Sequence, residues 1–219
     1  MTKTGTLAPF EGDVAEARFE ALFERHKRHL GWFAVVLILI GGGTWFYLRS
    51  ESIKSQRAEA AFEAAMQSVS SGNLPLAQSD LKAAATRYAG TNGGTESSMA
   101  LAKILYQQDK FQEGIAELKD PAGSKGDMQY EAMLLTAAGY EGLTKWSEAA
   151  KEYEAAAEAA RFPADKANAQ AMAARSYQQA GDKAAAEKIW QALLADAKSG
   201  FASEAKIRLG ELQAVPAKA

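Results

Sequence analysis

The stretch from Leu30 to Leu48 holds 19 residues without a formal charge, bounded by Arg28 and His29 on one side and Arg49 on the other. At about 1.5 Å per helical residue it reaches roughly 28 Å, close to the hydrocarbon thickness of a bilayer. Trp32 and Phe33 stand near one end, and Trp45, Phe46 and Tyr47 near the other, the placement of interfacial aromatic belts. The alternative, a buried core helix, fits the length and the charge-free run less well, so the sequence reads as a membrane span. The preceding tail of 29 residues carries several acids, and no small-x-small cleavage site follows Tyr47. The expectation is therefore an uncleaved signal-anchor and not a removable signal peptide. Within about 20 residues of the span, Arg18, Arg25, Lys27 and Arg28 precede it and Arg49, Lys54 and Arg57 follow it. That small excess favours a cytoplasmic N-terminus, with the rest of the chain across the membrane, in the periplasm if the source is a Gram-negative bacterium.

Around this span the chain falls into segments. Residues 1–12, with Gly5, Pro9 and Gly12, read as an irregular tail. Asp13 and Glu16 form an N-cap pair, and Phe19, Leu22, Phe23 and His26 follow the i, i+3, i+4, i+7 rule, so 13–29 reads as an amphipathic juxtamembrane helix. Within the span (30–48), Gly41, Gly42 and Gly43 could bend the helix or let another membrane helix make close contact, but no small-xxx-small stripe accompanies them, and simple toleration of glycine explains them better. Residues 49–57 contain no helix breaker and read as a helical lead-in. Residues 58–213 form the large domain, and 214–219 a short tail. From Arg49 onward the chain is rich in Ala, Glu, Lys and Gln, which predicts an almost entirely helical domain.

That domain repeats itself. Small residues fall at Ala77, Gly114, Ala149 and Ala186, at intervals of 37, 35 and 37. Before each lies a turn residue, Gly72, Asp109, Thr144 or Gly181, and four residues before that stand Ser68, Leu105, Tyr140 and Tyr177. Four residues after each small residue comes a large one: Leu81, Leu118, Tyr153 and Trp190. A small residue early in a second helix lets two helices approach, and the large one fills the space between them, so each unit reads as a helix hairpin. Segments rich in breakers separate the units at Gly90–Gly94, Pro121–Asp127 and Phe162–Asp165, with Thr95, Asp127 and Asp165 as candidate N-caps. A final helix over about Ser203–Gln213 has no partner after it and reads as a cap. The expected fold is all-α: one N-terminal transmembrane helix, then an α-solenoid of about four helix hairpins and a capping helix.

These units resemble degenerate tetratricopeptide repeats, the fourth most closely. The layout as a whole, over roughly residues 20–213, resembles the YfgM-like family of single-pass inner-membrane repeat proteins, ancillary subunits of the SecYEG translocon. The resemblance implies a cytoplasmic N-terminus, a periplasmic repeat domain, and contacts with the translocon and periplasmic chaperones.

The residues themselves offer no catalytic constellation, and no enzyme activity, cofactor or metal is expected. The absence of cysteine excludes disulfides and thiolate metal sites, and a net charge of −2 gives no basis for nucleic-acid binding through bulk charge. His26 and His29 lie beside the span; with no third ligand evident, interfacial solvation explains them better than a metal or tetrapyrrole. No phosphate loop is present, and Gly123–Gly126 is a short turn.

What remains is binding. In a repeat superhelix the groove is lined by the first helix of each hairpin. Register places Glu59, Phe62, Met66 and Val69 on that face, then Glu96, Met99, Lys103 and Tyr106, then Glu131, Leu134, Ala138 and Glu141, then Asn168, Ala171, Arg175 and Gln178. The strongest candidates for partner binding are Phe62, Met66, Met99, Lys103, Tyr106, Leu134, Arg175 and Gln178. Only Lys103 and Arg175 are basic, which argues against a clamp for acidic tails. The expected function is a membrane-anchored adaptor at the export translocon. The rival is a structural subunit of another inner-membrane complex, respiratory or photosynthetic, held by the span and the N-terminal tail.

Overall fold

The computed structural model describes residues 11–123, 126–196 and 198–214, apart from the side chains of residues 11–31, 34 and 122. Among the described residues all regular structure is helical: α1 (Glu11–Ser70), α2 (Leu74–Arg87), α3 (Asn92–Gln107), α4 (Phe111–Glu117), α5 (Lys119–Ala122), α6 (Asp127–Gly142), α7 (Trp146–Ala159), α8 (Pro163–Ala180), α9 (Lys183–Ala195) and α10 (Ala202–Gln213). The chain divides into two units, Met1–Ile53 and Lys54–Ala219.

In the first unit, the expected irregular tail lies almost wholly outside the described residues, and so do the side chains of the amphipathic pattern Phe19, Leu22, Phe23 and His26 and of His29. Among the described residues no helix is long and apolar enough to cross a membrane. Part of the expected span, Leu30, Gly31 and Ala34, lies outside the residues whose side chains are described. The side chains that are described there stand in the open: Trp32, Leu37, Ile38, Leu39, Trp45, Phe46 and Tyr47 are each at least 65% exposed.

The second unit is built of four hairpins and a cap. The C-terminal part of α1 pairs with α2, α3 with α4–α5, α6 with α7, and α8 with α9; α10 packs against α9. The small residue of each second helix is buried: Ala77, Ala149 and Ala186 are 0% exposed, and Gly114 is buried too. Facing them is a column in the first helices, Ala65, Ala102, Ala137 and Ala174, also 0% exposed. Three of the facing pairs share a core cluster, and a Cβ on Gly114 would stand 3.1 Å from the Ala102 carbonyl oxygen. Next to this close approach sit Leu81, Leu118, Tyr153 and Trp190, the large residues of the sequence pattern and among the bulkiest fully buried side chains described. Small meets small so that the helices touch, and one large side chain per hairpin fills the space beside the contact.

The turns repeat down to single hydrogen bonds. Gly72, Asp109, Thr144 and Gly181 all adopt positive φ, from 56° to 81°. In each turn that residue's N–H donates to the carbonyl three residues back, and the next N–H donates to Ser68, Leu105, Tyr140 or Tyr177, all at 2.8–3.1 Å. This is the Schellman arrangement, which satisfies the last carbonyls of the first helix. Glycine reaches this conformation without cost, whereas Asp109 and above all the β-branched Thr144 are strained there. The following residue is a side-chain N-cap in the outer hairpins, where Asn73 accepts from Leu76 N–H and Asp182 from Ala185 N–H. In the inner hairpins Lys110 and Lys145 make no such bond.

Three helix starts differ from the sequence reading. The N-cap of α3 is Thr91, whose hydroxyl accepts from Gly94 N–H at 3.2 Å, while Thr95 lies inside the helix. Gly93 and Gly94 are helical and buried because α3 packs so closely here: a Cβ on Gly93 would meet the Ala58 backbone. Asp127 and Asp165 sit in the first turns of α6 and α8, after the caps Gly126 and Phe162, where they complement the helix dipole. The second helix of hairpin two is broken into α4 and α5, since the Pro121 ring would clash with the carbonyl four residues back if the helix ran on.

Thr144→Gly is expected to stabilise the protein by about 1 kcal/mol by removing the strained turn conformation. Lys145→Asp, supplying the missing cap, should contribute about 1 kcal/mol more. Thermal unfolding of the detergent-solubilised chain tests both; an unchanged Tm for Thr144→Gly would mean that the turn carries no strain.

Candidate functional site

The first-helix face contains four columns of equivalent positions, and the structure separates them. Glu59, Glu96, Glu131 and Asn168 form one column, and all four reach solvent. Phe62, Met99, Leu134 and Ala171 form the next, and these pack inward: Met99 is only 6% exposed, Ala171 is fully buried, and Phe62 and Leu134 are half-buried against neighbouring clusters. In the third column Met66 and Ala138 are half-buried, Lys103 is exposed, and Arg175 is taken up by an ion pair. The fourth column, Val69, Tyr106, Glu141 and Gln178, serves the contacts between helices.

Several of the expected binding residues therefore hold the repeat unit together. Tyr106 packs against Phe111 with ring centroids 5.6 Å apart, and its hydroxyl donates to the Leu135 carbonyl at 3.1 Å. Gly114 and Gly139 leave room for this ring; a Cβ on either would run into it. Burial pushes the Tyr106 phenol well above its ordinary range, so it stays a neutral donor. Gln178 Oε1 accepts from Trp190 Nε1–H at 3.0 Å. The Arg175 guanidinium donates through Nε to Glu204 Oε1 at 2.9 Å and through Nη2 to Glu204 Oε2 at 2.6 Å. In turn, Glu141 Oε1 accepts from the Ser176 hydroxyl at 2.9 Å.

What reaches solvent is mainly acidic. Glu59, Glu96 and Glu131 stand at the same place in three successive first helices, and Glu63, one turn from Glu59, joins them. Partial burial and then the neighbouring charges of Glu59, Glu63 and Glu131 raise the Glu96 carboxyl above its usual range. With Arg175 engaged by Glu204, Lys103 is the exposed cation of these columns. Glu63 was not among the residues picked out by register; its signal was the i, i+4 spacing from Glu59. In the first unit, a Cβ on Gly41, Gly42 or Gly43 would meet nothing within 4 Å, so their surfaces are open.

Residues 21–136, 116 of the 219 in the chain, match the family described as a tetratricopeptide repeat-like domain. No protein with a curated description matches the sequence. The matched segment ends inside α6, but the register of turns and small residues continues through α9.

The carboxylates Glu96 and Glu204 should respond to pH with opposite sign. The folded-state pKa of Glu96 is raised, so its ionised form costs stability at neutral pH and acidification relieves that cost. Glu96→Gln is expected to stabilise the protein at neutral pH by a few tenths of a kcal/mol, given solvent screening, and to lose this advantage below about pH 4. The hydrogen bond from Arg175 lowers the Glu204 carboxyl, so its contribution is present at neutral pH and lost as pH falls through the acid range. Glu204→Gln should destabilise at neutral pH and converge with the parent protein in acid. Unfolding curves at several pH values test both signs.

Proposed function

This chain belongs to the tetratricopeptide repeat-like domain family, and we propose that it acts as a membrane-anchored adaptor that binds other proteins, beside the protein-export translocon. The observation that carries the binding role is the repeat register: three successive first helices present Glu59, Glu96 and Glu131 to solvent at one equivalent position. A row of equivalent side chains offered by separate helices suits an extended segment of a partner. Anchoring is supported by the charge-free sequence from Leu30 to Leu48 and by the exposure of its described apolar side chains, which water would not tolerate as a continuous patch. The order of segments, a short tail, an apolar stretch and weak repeats with a cap, supports the translocon and periplasmic chaperones as partners. The N-terminus is then cytoplasmic and the repeat unit periplasmic.

A second reading is a structural subunit of a respiratory or photosynthetic membrane complex. The observation behind it is the open surface of Gly41, Gly42 and Gly43, which admits another membrane helix at close range.

Affinity purification of the tagged chain from mild-detergent membranes, with mass spectrometry of what stays bound, separates the two readings. Translocon subunits and chaperones are expected; one other complex in equal amounts would move the function to the second reading. Glu96→Lys with Glu131→Lys should lower capture at least tenfold with helicity unchanged, and full capture would remove the first-helix face as the binding surface. Recovery of the chain in the soluble fraction after alkaline carbonate extraction would count against the anchor.

A further inference from the structure

The helix α10 is the last among the described residues. Its N-cap, Phe201, makes no side-chain hydrogen bond, as is also true of Phe162 at the start of α8. The cap helix buries Ala205 and Leu209, Phe201 and Leu212 pack half-buried against the same cluster, and Ile207 stays 63% exposed. It is reached through Gly200, which has φ +74°, next to a staple in which the buried Ser199 hydroxyl donates to the Leu193 carbonyl at 2.9 Å. Its polar hold on the fourth hairpin is the two-pronged Arg175–Glu204 bond, assisted by Gln213 Nε2–H donating to Glu187 Oε1 at 3.3 Å.

The surface beneath α10 is, by contrast, strongly apolar. Ala171, Ala174, Trp190 and Leu193 are at most 2% exposed, and Ala205 and Leu209 complete their cluster. The packing follows that of the repeats: α10 lies against α9 as α8 lies against α7 and α3 against α2. The cap thus lies where the first helix of a fifth hairpin would lie, and among the described residues no second helix packs on it.

We propose that α10 is a releasable latch: breaking the Arg175–Glu204 bond lets the cap swing about Gly200 and opens the end of the repeat unit to a helix from a partner. The chemistry of that helix is set by the one now in place. It is amphipathic, with a small residue and a leucine one turn apart, as Ala205 and Leu209 are, and a carboxylate just before the small residue to meet Arg175. Elements with few buried side chains open locally before the molecule unfolds, which is the condition for such an exchange. This inference concerns the end of the repeat unit and does not depend on what the first-helix face binds.

Hydrogen exchange on the full chain in detergent, with a synthetic peptide of residues 202–213 as the competing helix, tests it. We expect α10 to exchange at least tenfold faster than α8 and α9. Glu204→Gln should speed α10 by about tenfold more, the loss of roughly 1.4 kcal/mol, with α6 and α7 unchanged, and this variant should bind the peptide saturably. Glu211→Gln is the control: its bond to Arg208 at 3.0 Å lies within α10, so exchange should not change. The latch is overturned if α8, α9 and α10 exchange together in all three proteins. It is also overturned if Glu204→Gln loosens the whole unit, or frees α10 without gaining the peptide.

Discussion

The repeat unit depends on a contact between side chains that barely exist. In each hairpin an alanine of the first helix meets an alanine or glycine of the second, and all eight positions are buried. Such pairs bring two backbones together, which larger residues would hold apart. They contribute little apolar area of their own. Their effect is geometric: the close approach creates the pocket that Leu81, Leu118, Tyr153 or Trp190 fills, and the pocket then supplies the burial. Side-chain size at that position rises along the chain, from Leu to Tyr to Trp, and the last of these lies directly under the cap.

Half of that contact was legible in the sequence. The column Ala77, Gly114, Ala149 and Ala186 stood out because turn residues precede it and bulky residues follow it at fixed distances. The opposite column, Ala65, Ala102, Ala137 and Ala174, carries no such punctuation and is hidden among many other alanines. The turns were readable even where the residue was unusual, since Asp109 and Thr144 occupy the places of Gly72 and Gly181. Gly93 and Gly94 misled, because intrinsic helix propensity marks glycine as a breaker, whereas here the closeness of α1 to α3 requires Gly93 and the Tyr88 carbonyl leaves no room for a Cβ at Gly94.

The first-helix face shows a different limit. Helical periodicity identifies residues on one face but not how much of that face the next hairpin covers. Met99 and Tyr106 shared a face with Glu96 and Lys103 yet were drawn into the core. Arg175 looked like a free cation until folding brought Glu204 to it from the cap. What remains open to water is a row of carboxylates in which partial burial, and then mutual repulsion, already raises Glu96, so this surface keeps an electrostatic cost that folding alone does not relieve.

The equivalence of the four turns also bears on how such a chain can change its length. Each first helix ends on the same pair of backbone bonds, closed by atoms that every residue except proline possesses. Removing or duplicating the chain between two turn residues, such as Gly72 and Asp109, joins one such closure to another and leaves the surviving bonds intact. Recombination between turns would therefore lengthen or shorten the repeat unit by whole hairpins, while the cap at one end and the α1 hairpin at the other stay as they are.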